Sequence, residues 1–225
     1  MSEKTTEKTY GPFELRSAYH SEPVPDDFVQ RRRISAAIRT LSERLIRVEA
    51  DEATLTGWAD QLEALVDAVG LPERRDSREA NRKLFTGAAT IGDLYHMMDY
   101  DPVGGGANPI APQIDWTRED QDGVEGALWL GQQYQGPPGR VHGGVVSWIL
   151  DAVLSRAMHA SFRLGVTGTL NIRYMAGSPI EEALTCRAHI VRQEGRKIFI
   201  EGGIWHGETQ TVHAEGVWLT PKSLG

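Results

Sequence analysis

The sequence of 225 residues is 40% hydrophobic and 24% charged, which are the proportions of a folded globular protein. Its formal net charge of -7 argues against a nucleic-acid-binding protein, because such proteins usually present a net basic face. The single cysteine, Cys186, excludes an intrachain disulfide and favours a cytoplasmic location.

The first part of the chain is predicted to be mainly helical. Residues 1–24 are predicted to be a flexible lead, and residues 1–10 have no apolar stretch of the kind found in signal peptides. Residues 25–100 form a predicted N-terminal extension, with one helix from Asp26 to about residue 50 and a second from about residue 51 to Val69. These two helices are expected to form a hairpin. The run of Arg31, Arg32 and Arg33 is interpreted as a solvated helix face.

A Gly- and Pro-rich stretch, residues 101–109, is the predicted boundary before a second domain over residues 108–222. No segment approaches the roughly 20 consecutive apolar residues of a membrane span, so no membrane span is expected. Beyond the boundary, short strands surround one long apolar helix over residues 145–160. The strands are predicted at residues 124–134, 166–175, 183–191, 197–205 and 211–219. This order predicts an α+β fold in which an antiparallel sheet wraps around the buried helix.

A glycine- and proline-rich loop leads directly into that helix. Its sequence is Gly-Pro-Pro-Gly-Arg-Val-His-Gly-Gly, residues 136–144, so that Gly143 and Gly144 stand where the helix begins. The first backbone N–H groups of a helix have no intrahelical partner and favour negative charge. The two glycines are therefore a candidate oxyanion hole. The alternative is an ordinary junction between a loop and a helix.

One acidic residue, Asp151, lies in the middle of this apolar helix. Ser147, Asp151 and Ser155 are spaced four residues apart and form one polar stripe, which must face a polar partner. The alternative to a functional acid is a carboxylate held by a neighbouring hydroxyl or backbone group. Asp151 is eight residues from Gly143, roughly 12 Å along the helix axis, so one copy cannot supply both groups to one carbonyl. If they cooperate, an obligate two-fold dimer with two shared sites is expected.

The strand after the helix has a polar row. Simple alternation places Leu170, Ile172 and Tyr174 on one face of the strand. The opposite face then carries Thr167, Thr169, Asn171 and Arg173. A solvated sheet face is the alternative to a functional row.

These blocks carry a resemblance to a known family. His-Gly-Gly at residues 142–144, with an Asp nine residues after the His, resembles the PaaI-like group of hotdog-fold thioesterases. The longer match, residues 136–144 with Asp151 and then Thr-Gly-Thr-Leu-Asn-Ile-Arg-Tyr at residues 167–174, is most similar to acyl-CoA thioesterases of the thioesterase superfamily member type. It covers roughly residues 108–220. The resemblance implies a hotdog fold that hydrolyses acyl-CoA to a free acid and CoA.

The resemblance also implies roles for individual residues. Asp151 acts as general base toward water, or as a nucleophile, while Thr167 holds that water. The Gly143 N–H stabilises the oxyanion, and His142 has a positioning role. The expected substrate-binding residues are Gly144, Arg140, Ser147, Ser155, Asn171 and Arg173.

The expected partners are an acyl-CoA substrate and further copies of the chain, as a homodimer or a dimer of dimers. No metal is expected, and no cofactor beyond the CoA of the substrate. Many PaaI-like relatives carry an Asn or Gln shortly before the His, whereas residues 136–139 offer no side-chain amide. The alternatives are a hotdog dehydratase acting on acyl thioesters, a non-catalytic acyl-CoA-binding module, and an interaction role of the N-terminal helices.

Overall fold

The computed structural model describes residues 8–11, 14–71 and 77–221. Its helices are α1 Leu15–Ser21, α2 Asp26–Arg47, α3 Glu52–Val69, α4 Ser77–Phe85, α5 Ile91–Asp99 and α6 Gly143–Ala160. Its strands are β1 Ile114–Asp120, β2 Gly123–Trp129, β3 Val166–Tyr174, β4 Ala183–Glu194, β5 Lys197–His206 and β6 Thr209–Leu219. A 3-10 turn over Gln132–Tyr134 precedes the loop into α6.

The six strands form one antiparallel sheet in the order β1-β2-β4-β5-β6-β3. The sheet packs around α6, and this confirms the predicted α+β arrangement. Eight residues of α6 are buried, among them Ile149, Leu150, Val153 and Leu154 with no exposed surface. These side chains pack against buried residues of β2, β4, β5 and β6. Burial along most of its length explains why the helix is apolar on nearly every side.

Strand β1 was not predicted from the sequence. Its seven residues include only two large apolar side chains, Ile114 and Trp116, because it is the first edge of the sheet and most of its residues are exposed. The strand predicted over residues 124–134 ends at Trp129. Of the remaining residues, Gln132–Tyr134 form the 3-10 turn that leads towards α6.

A bulge in β3 corrects the predicted faces of that strand. Thr167 lies opposite Trp218 and Thr169 lies opposite Val217, so the extra residue, Gly168, shifts the alternation by one. Thr167 therefore shares the helix-facing side with Leu170, Ile172 and Tyr174. Thr169, Asn171 and Arg173 remain on the opposite, outer face of the sheet, as their alternation predicts.

The predicted helices of the N-terminal extension are present as α2 and α3. Helix α2 ends at Arg47, three residues before the predicted end, and the Asp51 side chain caps α3 by accepting a hydrogen bond from the Thr54 N–H. Helix α3 ends at Val69, as predicted. Within the predicted lead, α1 was not foreseen, and its Ala18 is 5% exposed.

An ion pair with the buried Asp99 carboxylate shows that the interpretation of Arg32 as a solvated residue is wrong. Its guanidinium forms two hydrogen bonds of 2.6 and 2.8 Å with the Asp99 carboxylate, which has no exposed surface. The Tyr19 hydroxyl donates to the same carboxylate at 2.5 Å. On the same side of α2, Ser35 donates to the Ala107 carbonyl at 2.7 Å. Apart from Phe28, which is 2% exposed and packs against Tyr95, the side of α2 that faces the rest of the protein is thus polar, an arrangement that apolar periodicity cannot reveal.

Candidate active site

The loop before α6 is fixed by His142. This residue is the N-cap of the helix, and its Nδ1 accepts a hydrogen bond of 3.0 Å from the Gly144 N–H. A Cβ atom at Gly144 would lie 3.1 Å from Nδ1, and one at Gly136 would lie 2.7 Å from the His142 Cα atom. Both glycines therefore allow close contact with His142. Because Nδ1 accepts a hydrogen bond, the imidazole is in the tautomer with its proton on Nε2.

The first N–H of α6 belongs to Gly143. Within the part of the chain that the structure describes, this N–H has no hydrogen-bond partner, whereas that of Gly144 is bound to His142. The Gly143 carbonyl accepts from the Tyr174 hydroxyl at 2.8 Å and from the Ser147 hydroxyl at 3.0 Å. The two hydroxyls lie 2.8 Å apart. Tyr174 thus ties β3 to the first turn of α6 beside the free N–H.

Asp151 lies two turns further along α6. Its Oδ1 accepts a hydrogen bond of 2.9 Å from the Thr167 hydroxyl, which the β3 bulge turns towards the helix. Its Oδ2 has no hydrogen-bond partner among the described residues. The acid is partly exposed, so a solvent molecule can reach the second carboxylate oxygen. A carboxylate with one anchored and one open oxygen is suited to proton abstraction.

The third residue of the polar stripe, Ser155, has a different partner. Its hydroxyl accepts a hydrogen bond of 3.0 Å from the indole N–H of Trp218, a side chain that is only 1% exposed. Ser147, Asp151 and Ser155 thus face Tyr174, Thr167 and Trp218 respectively. The expectation that the stripe faces polar partners is met, but the Ser155 hydroxyl is engaged by a buried tryptophan, not directed at a substrate.

The structure separates two of the expected substrate-binding residues from the others. Asn171 and Arg173 lie on the outer face of the sheet beside His213 and Glu215, with the sheet between them and Asp151 of the same copy. Simple alternation predicts the face of Asn171 and Arg173 correctly. It also places Thr167 on that face, which is wrong because of the bulge. Arg140 is exposed on the loop before α6, and its guanidinium donates to the Gly177 carbonyl at 3.3 Å.

The boundary loop brings a second carboxylate towards α6. Val103 donates its N–H to the Asp101 carboxylate at 2.8 Å. Desolvation raises the pKa of Asp101, and the negative charge of Asp151 adds to this rise, whereas the Val103 N–H and the Arg156 guanidinium oppose it. Asp101 is therefore within electrostatic range of Asp151. No sequence pattern pointed to it, because the loop is remote from α6 along the chain.

Arg156, one turn beyond Asp151, joins α6 to β1. It donates to both carboxylate oxygens of Glu119, and its guanidinium carbon is 5.1 Å from the ring centre of Trp116. Desolvation by burial lowers the pKa of Arg156. In the described ranges 8–11, 14–71 and 77–221, no group of three His, Cys, Asp or Glu residues is placed to hold a metal ion. No helix in those ranges is both long and apolar enough to cross a membrane.

Comparison with known proteins shows what the segment around α6 is similar to. Residues 138–213 match the family model described as Thioesterase superfamily, and this segment contains most of the loop before α6, α6 itself, β3, β4, β5 and the first part of β6. The domain has a hotdog fold, and its residues 138–213 are similar to the thioesterase superfamily. A crystal structure of a thioesterase superfamily protein is 29% identical, covers 84% of this chain and 94% of its own, and has a TM-score of 0.69. That coverage extends the similarity beyond the hotdog domain into the N-terminal extension.

Two curated relatives match a shorter part of this chain. Acyl-coenzyme A thioesterase THEM4 of Mus musculus is 32% identical over 92 residues, which are 41% of this chain and 40% of the relative. The protein of the same name from Bos taurus is 27% identical over 96 residues, which are 42% of this chain and 39% of the relative. This chain therefore spans less than half the length of the curated relatives it matches.

Proposed function

We propose that this chain hydrolyses acyl-CoA thioesters to a free acid and CoA, in sites shared between two copies of its hotdog domain. The observation that carries the proposal is the hydrogen bond from Thr167 to Asp151, on a helix that begins with the unpartnered N–H of Gly143. An anchored carboxylate and a free N–H at a helix start are the two groups that acyl transfer to water requires. The relatives named acyl-coenzyme A thioesterase support this substrate class.

In the proposed mechanism, Asp151 acts as general base. Thr167 holds Oδ1, and Oδ2 takes a proton from the water that attacks the thioester carbonyl. When the tetrahedral intermediate collapses, the C–S bond breaks and the CoA thiolate leaves, taking that proton from Asp151. The hydroxyl oxygen of Thr167 can also accept a hydrogen bond from that water. Direct attack by the carboxylate, which would form an anhydride, is the less favoured route because it gives Thr167 no water to hold.

The negative charge that develops on the carbonyl oxygen is stabilised by the Gly143 N–H. The dipole of α6 adds partial positive charge at this end of the helix. Gly144 contributes indirectly, because its N–H holds the His142 ring in the cap. Arg140 is the exposed cation on the same loop and is proposed to meet a CoA phosphate.

A second copy is required by distance. Gly143 and Asp151 are separated by two turns of the same helix, roughly 12 Å at the rise of an α-helix. Strand β3 forms the outer edge of the sheet next to the polar stripe, and its Val166 and Tyr174 are 62% and 51% exposed. We propose that two copies pair these edges about a two-fold axis, so that Asp151 of one copy lies beside Gly143 of the other.

The test is CoA release measured with a thiol reagent over acyl-CoA esters of increasing chain length. The wild-type chain should release CoA, and Asp151→Asn should reduce the rate by at least about a hundredfold without unfolding the protein. Asp122→Asn, a change of the same kind at an exposed turn, should have no effect. Wild-type activity of Asp151→Asn would overturn the mechanism.

The same preparation separates the alternatives. Hydration of an enoyl-CoA without thiol release would indicate a dehydratase, and binding of acyl-CoA without turnover would indicate a non-catalytic module. The cytoplasmic location expected from the single cysteine stays a prediction.

A further inference from the structure

The first turn of α6 offers a substrate only one backbone donor. The N–H groups of Val145 and Val146 bind the His142 carbonyl. The Gly144 N–H binds the ring of the same histidine, so within the residues that the structure describes Gly143 has the one open N–H of this turn. Oxyanion holes in acyl-transfer enzymes are built from several hydrogen-bond donors aimed at one oxygen. A second donor is therefore expected close to Gly143.

The Tyr174 hydroxyl lies beside Gly143. A Cβ atom on Gly143 would be 3.5 Å from this hydroxyl oxygen. Because the Cβ and N atoms of one residue are about 2.5 Å apart, the Tyr174 hydroxyl oxygen and the Gly143 nitrogen are separated by at most about 6 Å. One substrate oxygen can therefore lie about 3 Å from both atoms, which is hydrogen-bond distance. The Tyr174 side chain is 51% exposed, so a substrate can reach it.

The hydrogen bonds around the Gly143 carbonyl leave one hydroxyl hydrogen for a substrate. The hydroxyl oxygens of Tyr174 and Ser147 lie 2.8 and 3.0 Å from the carbonyl oxygen and 2.8 Å from each other. The carbonyl oxygen has two lone pairs, and in the helix one of them accepts the Ser147 backbone N–H. The other lone pair can accept only one hydroxyl hydrogen. When the Ser147 hydroxyl donates to Tyr174, the Tyr174 hydrogen is free to donate to a bound substrate.

Pairing of two β3 edges about a two-fold axis brings Tyr174 to the acid of the other copy. Strand β3 runs from Val166 to Tyr174 at the edge of the sheet. In an antiparallel pair of such strands, the first residues of one copy lie beside the last residues of the other. Thr167 and Tyr174 both lie on the helix-facing side of β3. Tyr174 of one copy and the Thr167–Asp151 pair of the other are therefore expected on the same side of the joined sheet, as a shared site requires.

We propose that the Tyr174 hydroxyl is the second donor to the carbonyl oxygen of the thioester, acting together with the Gly143 N–H of the same copy. This role rests on the proposed hydrolysis in a shared site. As water attacks the carbonyl carbon, negative charge develops on the carbonyl oxygen, and the Tyr174 hydroxyl donates a hydrogen bond to it while keeping its proton. The Ser147 hydroxyl donates to Tyr174, which directs the Tyr174 hydrogen outwards and strengthens its bond to the oxyanion. Ser147 is thus a positioning residue.

The kinetic test compares variants that each lose one hydroxyl. Tyr174→Phe should lower kcat for CoA release by about a hundredfold and change KM by less than about twofold, because the hydroxyl acts on charge that develops in the transition state. Tyr100→Phe removes a hydroxyl that binds Arg31 in the N-terminal extension, and it should leave kcat unchanged. Ser147→Ala should lower kcat by only about threefold to tenfold. Wild-type kcat in Tyr174→Phe, or an equally large loss in Ser147→Ala, would overturn the proposal.

A binding measurement separates this role from a structural tie between β3 and α6. Two unreactive analogues are compared by calorimetry: a ketone with CH2 in place of the thioester sulfur, which keeps the carbonyl, and an S-alkyl-CoA thioether, which has none. Tyr174→Phe should bind the ketone about tenfold more weakly than the wild type does and the thioether equally well.

Equal weakening for both analogues, or no weakening for the ketone, would overturn the role of Tyr174. These analogues need no turnover. A wild-type chain that binds both of them but releases no CoA from acyl-CoA would refute the proposed hydrolysis, while the ketone comparison would still decide whether Tyr174 donates to the carbonyl oxygen.

Discussion

Substitution of Ser155 should weaken the fold and spare catalysis. Ser155→Ala removes the acceptor of the Trp218 indole N–H, a 3.0 Å hydrogen bond to a side chain that is 1% exposed. A buried donor that loses its partner raises the free energy of the folded state by about 1–3 kcal/mol. The removed atom is a single oxygen, so little cavity is added. We therefore expect a loss of about 2 kcal/mol in the free energy of unfolding, and a fall of roughly 4–8 °C in melting temperature for a chain of this length.

Urea unfolding followed by circular dichroism measures this change, and the thiol-release assay measures catalysis on the same samples. Trp218→Phe provides the control, because phenylalanine has no N–H to satisfy. In that background, Ser155→Ala should cost less, with a coupling of about 1–2 kcal/mol. Unchanged stability of Ser155→Ala would refute the assigned hydrogen bond. A loss of turnover as large as that of Asp151→Asn would refute the separation of the stripe into structural and catalytic parts.

Three further predictions address separate parts of the molecule. Thr167→Val should lower kcat by about 10- to 100-fold with little change in KM, since it removes the hydroxyl that holds Asp151, while Thr167→Ser should keep most activity. Cys186 should not react with a thiol reagent at pH 8 until urea unfolds the chain, because burial raises its pKa to about 12 and leaves about one thiolate in ten thousand. The same pKa shift should lower the free energy of unfolding as the pH rises from about 8.5 towards 12. Fast labelling of Cys186 in the folded protein would contradict the raised pKa. Asp99→Ala should cost about 3 kcal/mol in a urea titration, because Arg32 loses its buried partner, and a loss below about 1 kcal/mol would contradict that role.

The central helix and its acid were predictable because local spacing encodes both. A helix that is buried along most of its length must be apolar on nearly every side, and one acid within it stands out. The His-Gly-Gly motif at the start of the helix and the Thr167 motif after it are short local sequences, so they can also be recognised without the structure. These features depend on neighbours in the sequence, so no knowledge of the tertiary packing was needed.

The features that the sequence missed depend on distant contacts. The bulge at Gly168 turns Thr167 towards α6, and strict alternation has no means of locating an inserted residue. The partner of Ser155 is Trp218, which is more than sixty residues away. Arg32 looked solvated because its partner, Asp99, belongs to α5. In each case, a polar group is satisfied by a residue that only the folded chain brings near.

The shared site is tested most directly by mixing two inactive variants. Gly143→Pro removes the proposed oxyanion donor at the first helical position, where proline is tolerated, and His142 already has the extended φ of -61° and ψ of 133° that a following proline requires. Gly143→Ala keeps the N–H and should stay active, since its Cβ would lie 3.5 Å from the Tyr174 hydroxyl.

Gly143→Pro and Asp151→Asn should each be inactive as homodimers. After the two are unfolded together and refolded, random pairing should restore about a quarter of wild-type CoA release, because half of the dimers then contain one intact site of two. No recovery in a mixture that sedimentation shows to contain mixed dimers would contradict the shared site.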